Sequence, residues 1–321
     1  MPQLASLEKR FPDLAGFDTF HARRIAPELA ALEERRRSLI SRMGQSGFIA
    51  AAAVAGAVWL HFSGATAWAI APLVVAVLSA IYAFKCYGDL RRGFKDVLVR
   101  AVCEFFGLEY AAEPGSGPLH WFRELSLLPD YDRSTLEDRV AGRHREVALD
   151  VVEAKLEERR TRSSKSGSKT YYVTVFRGLL GQFDFPKRFQ GRTIVKTDRG
   201  GALNWFQGFA TPGERVRLED PRFEDAFEVW SSDQVEARYL LTPAFMERLL
   251  ALDGHFGGGA ITLGFDAERL LLAARLRRNL FEGGSIFAPV DDPKRIEGIV
   301  AELALLFEVV DTLQLQLKTR I

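Results

Sequence analysis

The residue types that most often carry out chemistry are present in this 321-residue chain, but their spacing forms no known catalytic pattern. The stretch Gly167-Ser168-Lys169-Thr170 is close to the end of a phosphate-binding loop, where a glycine and a lysine surround bound phosphate. It departs from that pattern because Ser168 separates the glycine from the lysine and Arg162 lies where the first glycine belongs. Gly257-Gly258-Gly259 precedes a predicted strand, whereas a dinucleotide-binding turn has its glycines between a strand and a helix. Both stretches are interpreted as flexible connections.

The titratable side chains also form no evident site. No two of the five histidines lie four residues apart, the helical spacing that binds a metal ion. The two cysteines, Cys86 and Cys103, lack metal-ligand or redox spacing and are interpreted as small, semi-buried side chains on helices. Asp184, Asp198 and Asp233 are interpreted as turn and cap residues. The sequence therefore assigns no catalytic, cofactor-binding or metal-binding residue, and we expect no cofactor.

The elements that would position any site are organised around an uncharged stretch from Met43 to Phe84. It contains two apolar segments, Gly47–Phe62 and Thr66–Phe84, joined by a short turn. A helix needs about 20 apolar residues to cross a bilayer core of about 30 Å. The second segment is long enough, and the first becomes so when uncharged flanking residues join it. The sequence predicts a transmembrane helical hairpin in which Gly56 and neighbouring alanines let the two helices approach closely.

Two other interpretations of this stretch fit the sequence less well. A buried helical hairpin of a soluble protein would show a polar stripe on each helix, and neither segment has one. A secretory signal peptide would begin nearer the N-terminus and end in a cleavage-like site. We therefore expect membrane lipid to be the partner of this hairpin.

Basic residues flank the hairpin and are absent from its turn, which predicts that both chain ends are cytoplasmic. The flanking residues are Arg35, Arg36, Arg37 and Arg42 on one side and Lys85, Arg91, Arg92 and Lys95 on the other. We expect a two-pass protein of the bacterial inner membrane with its main domain in the cytoplasm. The formal net charge of the chain is +1, which argues against a nucleic-acid-binding protein.

The remaining patterns predict an α+β fold. It comprises an N-terminal amphipathic helix, the two-helix transmembrane hairpin, and a cytoplasmic domain with a mainly antiparallel sheet and packed helices. The predicted division assigns residues 1–46 to a cytoplasmic N-terminal helical segment and 47–84 to the hairpin. Residues 85–130 form a juxtamembrane helical segment, and residues 131–321 form the cytoplasmic α+β domain.

Alternating apolar residues predict a long antiparallel hairpin in that domain. Its first strand runs through Val147–Leu156, where a change of phase between Val151 and Val152 predicts a bulge. Its second strand is Tyr171–Phe176, and Arg162–Lys169 is a basic turn between them.

Helix-capping residues predict where several helices begin. Asp233, with Glu236 three residues later, fits a capping box. Thr242-Pro243 and Asp292-Pro293 each combine an N-cap residue with proline at the first helical position. Pro27 is predicted to end one helix and begin another within the N-terminal segment.

One set of motifs resembles a known bacterial family. The motifs are Phe176-Arg177-Gly178-Leu179, Phe185, Phe189-Gln190-Gly191-Arg192-Thr193, Phe227-Glu228-Val229-Trp230-Ser231-Ser232-Asp233 and Glu236-Ala237-Arg238-Tyr239-Leu240-Leu241-Thr242-Pro243. Together they resemble the family called domain of unknown function 3137, from about residue 90 onward. The position of Trp230 differs, because tyrosine is expected there. The motif residues themselves are interpreted as structural.

The resemblance implies an uncharacterised membrane-anchored protein and brings no catalytic residues. It also suggests a membrane protein of the LemA type as a partner, and a role in the cell envelope. Our first hypothesis is a non-enzymatic protein whose cytoplasmic domain binds a partner protein. The alternatives are an enzyme acting on a lipid or nucleotide, which needs a deep pocket lined by converging charged side chains, and a sensor of anionic lipid.

Overall fold

The structure of the protein is a computed structural model. It describes residues 14–115, 117–145, 147–164, 167–184, 188–197, 213–258, 261–276, 279–281, 288–290 and 292–317. The chain forms two compact units, of which the first contains Met1–Phe105 and Phe281–Ala301 and the second contains Phe106–Leu280 and Glu302–Ile321. The predicted α+β fold class is confirmed, with an N-terminal helix, two apolar helices, and a domain of antiparallel sheet and helices. The predicted four-part domain division stays a prediction.

Helices dominate the first unit. In chain order they are α1 (Phe17–Phe20), a π-helical turn (His21–Ile25), α2 (Ala26–Phe62), a 3-10 turn (Thr66–Ala69) and α3 (Ile70–Phe105). Pro27 lies in the first turn of α2, directly after the π-helical turn, and it cannot donate the backbone hydrogen bond that a regular α-helix would make at this position. The predicted start of a helix at Pro27 is confirmed, but the preceding helix does not end there, because the π-helical turn connects α1 directly to α2.

Small side chains line the seam between α2 and α3. The least exposed positions of the apolar stretch recur every three or four residues, as in a coiled coil. They include Ser46, Ala50, Ala53, Gly56 and Ala57, with the larger Met43 and Leu60, in α2, and Pro72, Ala76, Ser79, Ala83 and Cys86 in α3. The small side chains among them allow close helix approach. Gly56 is not required for it, since an added Cβ there would have no heavy atom within 4 Å.

Large apolar side chains cover the outside of the same hairpin. Phe48, Phe62, Trp68 and Phe84 are 76%, 84%, 74% and 78% exposed. Among the described residues, two helical stretches are long and apolar enough to cross a membrane, Phe17–Phe62 and Thr66–Asp89, with mean hydropathies of 1.4 and 2.1. Only 11% and 6% of their apolar windows are buried within the protein. The hairpin thus directs its hydrophobic surface outward.

The second unit contains an antiparallel sheet that has nine strands within the described residues. The strands are β1 (Glu109–Ala111), β2 (Arg133–His144), β3 (Val147–Ser164), β4 (Gly167–Asp184), β5 (Thr193–Thr197), β6 (Glu214–Val216), β7 (Phe227–Ser231), β8 (Ile261–Asp266) and β9 (Arg269–Arg275). Their order across the sheet is β1-β2-β3-β4-β9-β8-β5-β7-β6. The predicted β3–β4 hairpin is confirmed, and β8 and β9 form a second antiparallel hairpin.

Five further helices accompany the sheet in the described part of the chain. They are α4 (Leu119–Glu124), α5 (Pro221–Glu224), α6 (Gln234–Leu240), α7 (Pro243–His255) and α8 (Pro293–Leu317), whose first turns belong to the first unit. One side of the sheet, the α4 face, packs Val152, Ala154 and Leu156 against Phe122. The other side, the α7 face, includes Phe265, which contacts Phe245 of α7.

The bulge predicted within β3 is wrong. β3 pairs with β4 without interruption from Leu149 to Leu156, and the extra residue lies on β2 between Glu137 and Val140. The phase changes because the buried side of the strand changes. Val147, Leu149 and Val151 are buried on the α7 face, and Val152, Ala154 and Leu156 are buried on the α4 face. A strand covered on both faces loses the simple alternation of a half-exposed strand.

Candidate functional site

The outer ends of β3 and β4 form a two-stranded projection, which we call the β-arm (residues 158–164 and 167–173). β2 pairs with β3 only as far as Glu157, and β9 pairs with β4 only from Gly178 onward. Beyond those points, within the residues that the structure describes, β3 and β4 pair only with each other, ending at Ser164 opposite Gly167. At about 3.3 Å per residue, the arm extends about 23 Å.

The basic stretch predicted as a turn is therefore largely strand. Arg162 pairs with Lys169, and Ser163 pairs with Ser168. The Gly167–Thr170 stretch lies within β4 and is followed by more strand, not by the helix that a phosphate-binding loop requires. Its place in the arm is consistent with the rejection of that motif from the sequence.

The arm concentrates positive charge and exposed aromatic rings. Residues 158–173 include five basic residues and one acidic residue, a net charge of +4 in a chain whose total is +1. Arg160 is opposite Tyr171 and Arg159 is opposite Tyr172. The two tyrosines are 44% and 49% exposed. The acidic residue, Glu158, forms an ion pair with Arg160 at 2.9 Å.

A charged cleft of about 80 Å³ opens on the α7 face of the sheet, near the root of the arm. Strand register brings its residues together, because Thr135 pairs with Lys155, Lys155 pairs with Arg177, and Glu137 pairs with Glu153. Asn279 completes the lining. The sequence signal that could have revealed this cleft is the spacing of Glu153, Lys155 and Glu157, which alternate along one face of β3.

Three charged side chains of this cleft form hydrogen bonds or ion pairs with other groups of the protein. Glu153 is buried, and its carboxylate accepts a hydrogen bond from the backbone N–H of Leu280 at 3.0 Å. Lys155 Nζ lies 2.6 Å from Glu157 Oε1, and Arg177 donates to Asn279. Pockets that enclose drug-sized ligands measure about 300–1,000 Å³. This cleft is smaller, so it is not the deep pocket that the enzyme hypothesis requires.

A second cluster, around the start of α6, joins segments that are distant in the sequence. The carboxylate of Glu236 accepts hydrogen bonds from the backbone N–H groups of Gln190 (2.9 Å) and Gly191 (2.7 Å). Asp233 caps α6 by accepting from the N–H groups of Val235 and Glu236, both at 2.9 Å. The cluster therefore fixes the chain before β5 against the N-terminus of α6.

The capping box predicted at Asp233 is only half correct. Asp233 is the N-cap, but Glu236 does not return to the Asp233 N–H. That N–H donates instead to Ser231 Oγ at 3.0 Å, which leaves the Glu236 carboxylate for the Gln190–Gly191 backbone. Gly191 is needed because an added Cβ would lie 2.7 Å from the Cβ of Asp233.

The opposite side of α6 is exposed. Val235 and Tyr239 lie four residues apart, on one side of the helix, and are 64% and 58% exposed. They contrast with Ala237, which is buried on the inner side of the same helix.

Residues 174–315 match the model of a family described as protein of unknown function (DUF3137). This region is a DUF3137 domain. The resemblance seen in the sequence motifs is thereby confirmed, although Phe185 lies outside the described residues. No curated protein sequence matches the chain. Among solved structures, the crystal structure of the mycobacterial trehalose monomycolate transport factor A, TtfA, is 14% identical, with a TM-score of 0.36, and covers 70% of this chain and 96% of that chain. So low a TM-score supports no transfer of fold or function.

The DUF3137 motifs thus contain residues of two kinds. Gly191, Asp233 and Glu236 make the contacts that hold α6 in place, and Thr242 caps α7 through the Phe245 N–H at 3.4 Å. Tyr239 belongs to the same motif but lies on the exposed side of α6. The structural interpretation of the motif is supported by the contacts of the first group and does not account for Tyr239.

Glu236→Gln is expected to destabilise the DUF3137 domain by about 1–2 kcal/mol, because a neutral amide replaces a carboxylate that accepts two backbone hydrogen bonds. Thermal unfolding of the full chain in detergent measures the change. The control is Glu247→Gln on α7. The Glu247 side chain is 68% exposed, and its ion pair with Arg222, at 3.6 Å, lies on the surface. Equal melting temperatures for both variants would contradict the prediction.

The two cysteines lie in the helical part of the protein. Cys86 and Cys103 are both buried in α3, and burial raises the pKa of Cys103 to about 12. His144 stacks on Phe307 of α8, with ring centroids 4.2 Å apart, and contacts Asp311.

Lys196 was not identified from the sequence. It is buried in β5 opposite Glu228, and burial lowers its pKa to about 8.

The described residues contain no group of three or more His, Cys, Asp or Glu side chains placed to hold a metal ion. Asp184 ends β4, whereas Asp198 lies outside the described part of the chain.

Proposed function

We propose that this chain is a two-pass protein of the bacterial inner membrane whose DUF3137 domain binds a partner protein at the cytoplasmic surface. The observation that carries the proposal is the α2–α3 hairpin, with small side chains in its seam and large apolar side chains outside. Contiguous exposed apolar surface on this scale is rare in soluble monomers.

The energetics of the hairpin support insertion. Thr66–Phe84 contains eight Leu, Ile, Val or Phe residues. Each contributes about −0.3 to −0.6 kcal/mol at the centre of a spanning helix, or about −2 to −5 kcal/mol together. The basic residues on both flanks support a cytoplasmic location for both chain ends, with only the short turn outside.

The exposed side of α6 is the candidate contact for a protein partner. Tyrosine is enriched among the residues that dominate binding energy at interfaces, and Tyr239 lies beside Val235 on a helix that the Glu236 and Asp233 contacts hold in place. The family resemblance makes a membrane protein of the LemA type the first partner to test. A role in the cell envelope follows from such a partner.

Photo-crosslinking tests this function. A photoreactive amino acid at position 239 should form an adduct with the LemA-type protein in native membranes, and the same group at the exposed position 247 of α7 should not. Val235→Ser should reduce the adduct at position 239 severalfold, because it removes apolar contact area beside it. Equal adducts from both positions, or no adduct with this partner, would reject the partner assignment. A reporter fused to the C-terminus that is active outside the cytoplasm would reject the topology.

A further inference from the structure

We propose that the β-arm binds anionic lipid headgroups at the surface of the membrane that holds the α2–α3 hairpin. The inference rests on the membrane anchoring in the proposed function, but not on the partner protein or on α6. It assigns a role to the part of the sheet that contributes least to the core.

The fold does not require the side chains of the arm. Beyond Glu157 and Thr174, no third strand of the described part of the chain pairs with the arm. Tyr171 and Tyr172 remain 44% and 49% exposed, although tyrosine rings are usually placed where their apolar bodies can be covered. An isolated two-stranded hairpin gains little stability of its own. Selection for stability alone therefore does not explain these residues.

The charge pattern of the arm is unfavourable without an anionic partner. Arg162 pairs directly with Lys169 across the two strands, and like charges in that position destabilise a strand pair. The remainder of the chain carries a net charge of −3, since residues 158–173 carry +4 and the total is +1. Positive charge is thus concentrated where, among the described residues, no third strand pairs with β3 or β4.

An anionic membrane surface matches this pattern in two respects. It attracts clustered lysine and arginine side chains within about a Debye length. The headgroup region also accommodates tyrosine, whose ring is apolar and whose hydroxyl is polar. The anchor keeps the arm near a bilayer at high effective concentration, so individually weak contacts suffice. A nucleic acid or an acidic protein segment would match the charge but gains no such advantage from the anchor.

The test uses the full chain in lipid nanodiscs, with an environment-sensitive dye at Ser163→Cys, an exposed arm position. Cys86 and Cys103 are buried and should remain unlabelled. The dye reports the ratio of membrane-bound arm to unbound arm. In discs containing phosphatidylglycerol, this ratio should be about tenfold higher than in phosphatidylcholine discs, as expected for several basic residues near an anionic surface. Raising the salt from about 0.1 M to about 1 M should abolish the difference, because the Debye length falls from about 10 Å to about 3 Å.

A triple variant, Arg160→Glu with Arg162→Glu and Lys169→Glu, should lose the tenfold difference. The matched control reverses three charges outside the arm, Arg133→Glu, Arg222→Glu and Arg238→Glu, and should retain it. An equal dye response in both kinds of disc overturns the inference, as does a response to added duplex nucleic acid in place of anionic lipid. Failure of the chain to enter discs at all would overturn the membrane anchoring itself, so the two failures are distinguishable.

Discussion

Gly178→Ala is expected to unfold the sheet of the DUF3137 domain or to lower its stability by about 3 kcal/mol or more. A Cβ at this position would lie 1.9 Å from the carbonyl oxygen of Ala274 and 2.9 Å from the Cα of Arg275. Both atoms belong to the backbone of β9, which cannot rotate away as a side chain can. Gly178 pairs with Arg275 at the point where β9 joins β4, so relief of the clash requires the two halves of the sheet to separate.

The matched control is Gly254→Ala in α7, where an added Cβ has no heavy atom within 4 Å. Alanine favours a helix by about 1 kcal/mol over glycine, so this variant should be as stable as the wild type or more so. Thermal unfolding of the full chain in detergent, followed by circular dichroism, measures both. A Gly178→Ala protein that melts with the wild type would show that β4 and β9 do not approach as closely as the structure places them.

Val77→Arg is expected to abolish stable membrane insertion. Val77 is 58% exposed on the outside of the hairpin and lies in the middle of Thr66–Phe84. Arginine at the centre of a spanning helix costs about 2.5–3.5 kcal/mol, which offsets most or all of the roughly −2 to −5 kcal/mol available to this segment. The protein should move from the membrane fraction to aggregates or degradation products, measured by alkaline extraction and quantitative blotting.

The control places the same charge at the end of the same helix. Phe84→Arg lies beside Lys85 and should remain in the membrane, because an arginine at this depth extends its guanidinium into the headgroup region. If Val77→Arg remains folded and leaves the membrane as a soluble protein, the hairpin is not a bilayer span, and both the proposed function and the lipid-binding role of the arm fail with it.

The main elements of the fold could be predicted where the determining interactions are local. Thr242 and Asp292 begin α7 and α8 as predicted, because an N-cap accepts from an N–H two or three residues ahead. The β8–β9 hairpin joins two continuous buried runs across a short turn. β7 was not identified, although Phe227 and Val229 alternate with Glu228, because the strand lies directly before a strong capping signal.

The candidate sites depended on strand register, which a sequence does not specify by itself. Lys155 and Arg177 become neighbours only because β3 and β4 pair without slippage to Leu156. The place where the β-arm leaves the sheet depends on where β2 and β9 end. A shift of one residue would move each of these side chains to the other face.

The sequence by itself determined the uncharged hairpin of α2 and α3, the helix starts and the β3–β4 pairing. It also determined the concentration of positive charge at the outer end of β3 and β4. These follow from composition and from interactions over a few residues. Only the tertiary structure decided that Glu236 binds the backbone of Gln190 and Gly191, 46 and 45 residues away. It likewise decided that the bulge opposite Val152 lies on β2 and that a second register shift places Val175 of β4 as an extra residue. It also decided that Lys196 is buried while Tyr239 is exposed. Such features depend on which distant backbone groups and side chains meet when the sheet assembles.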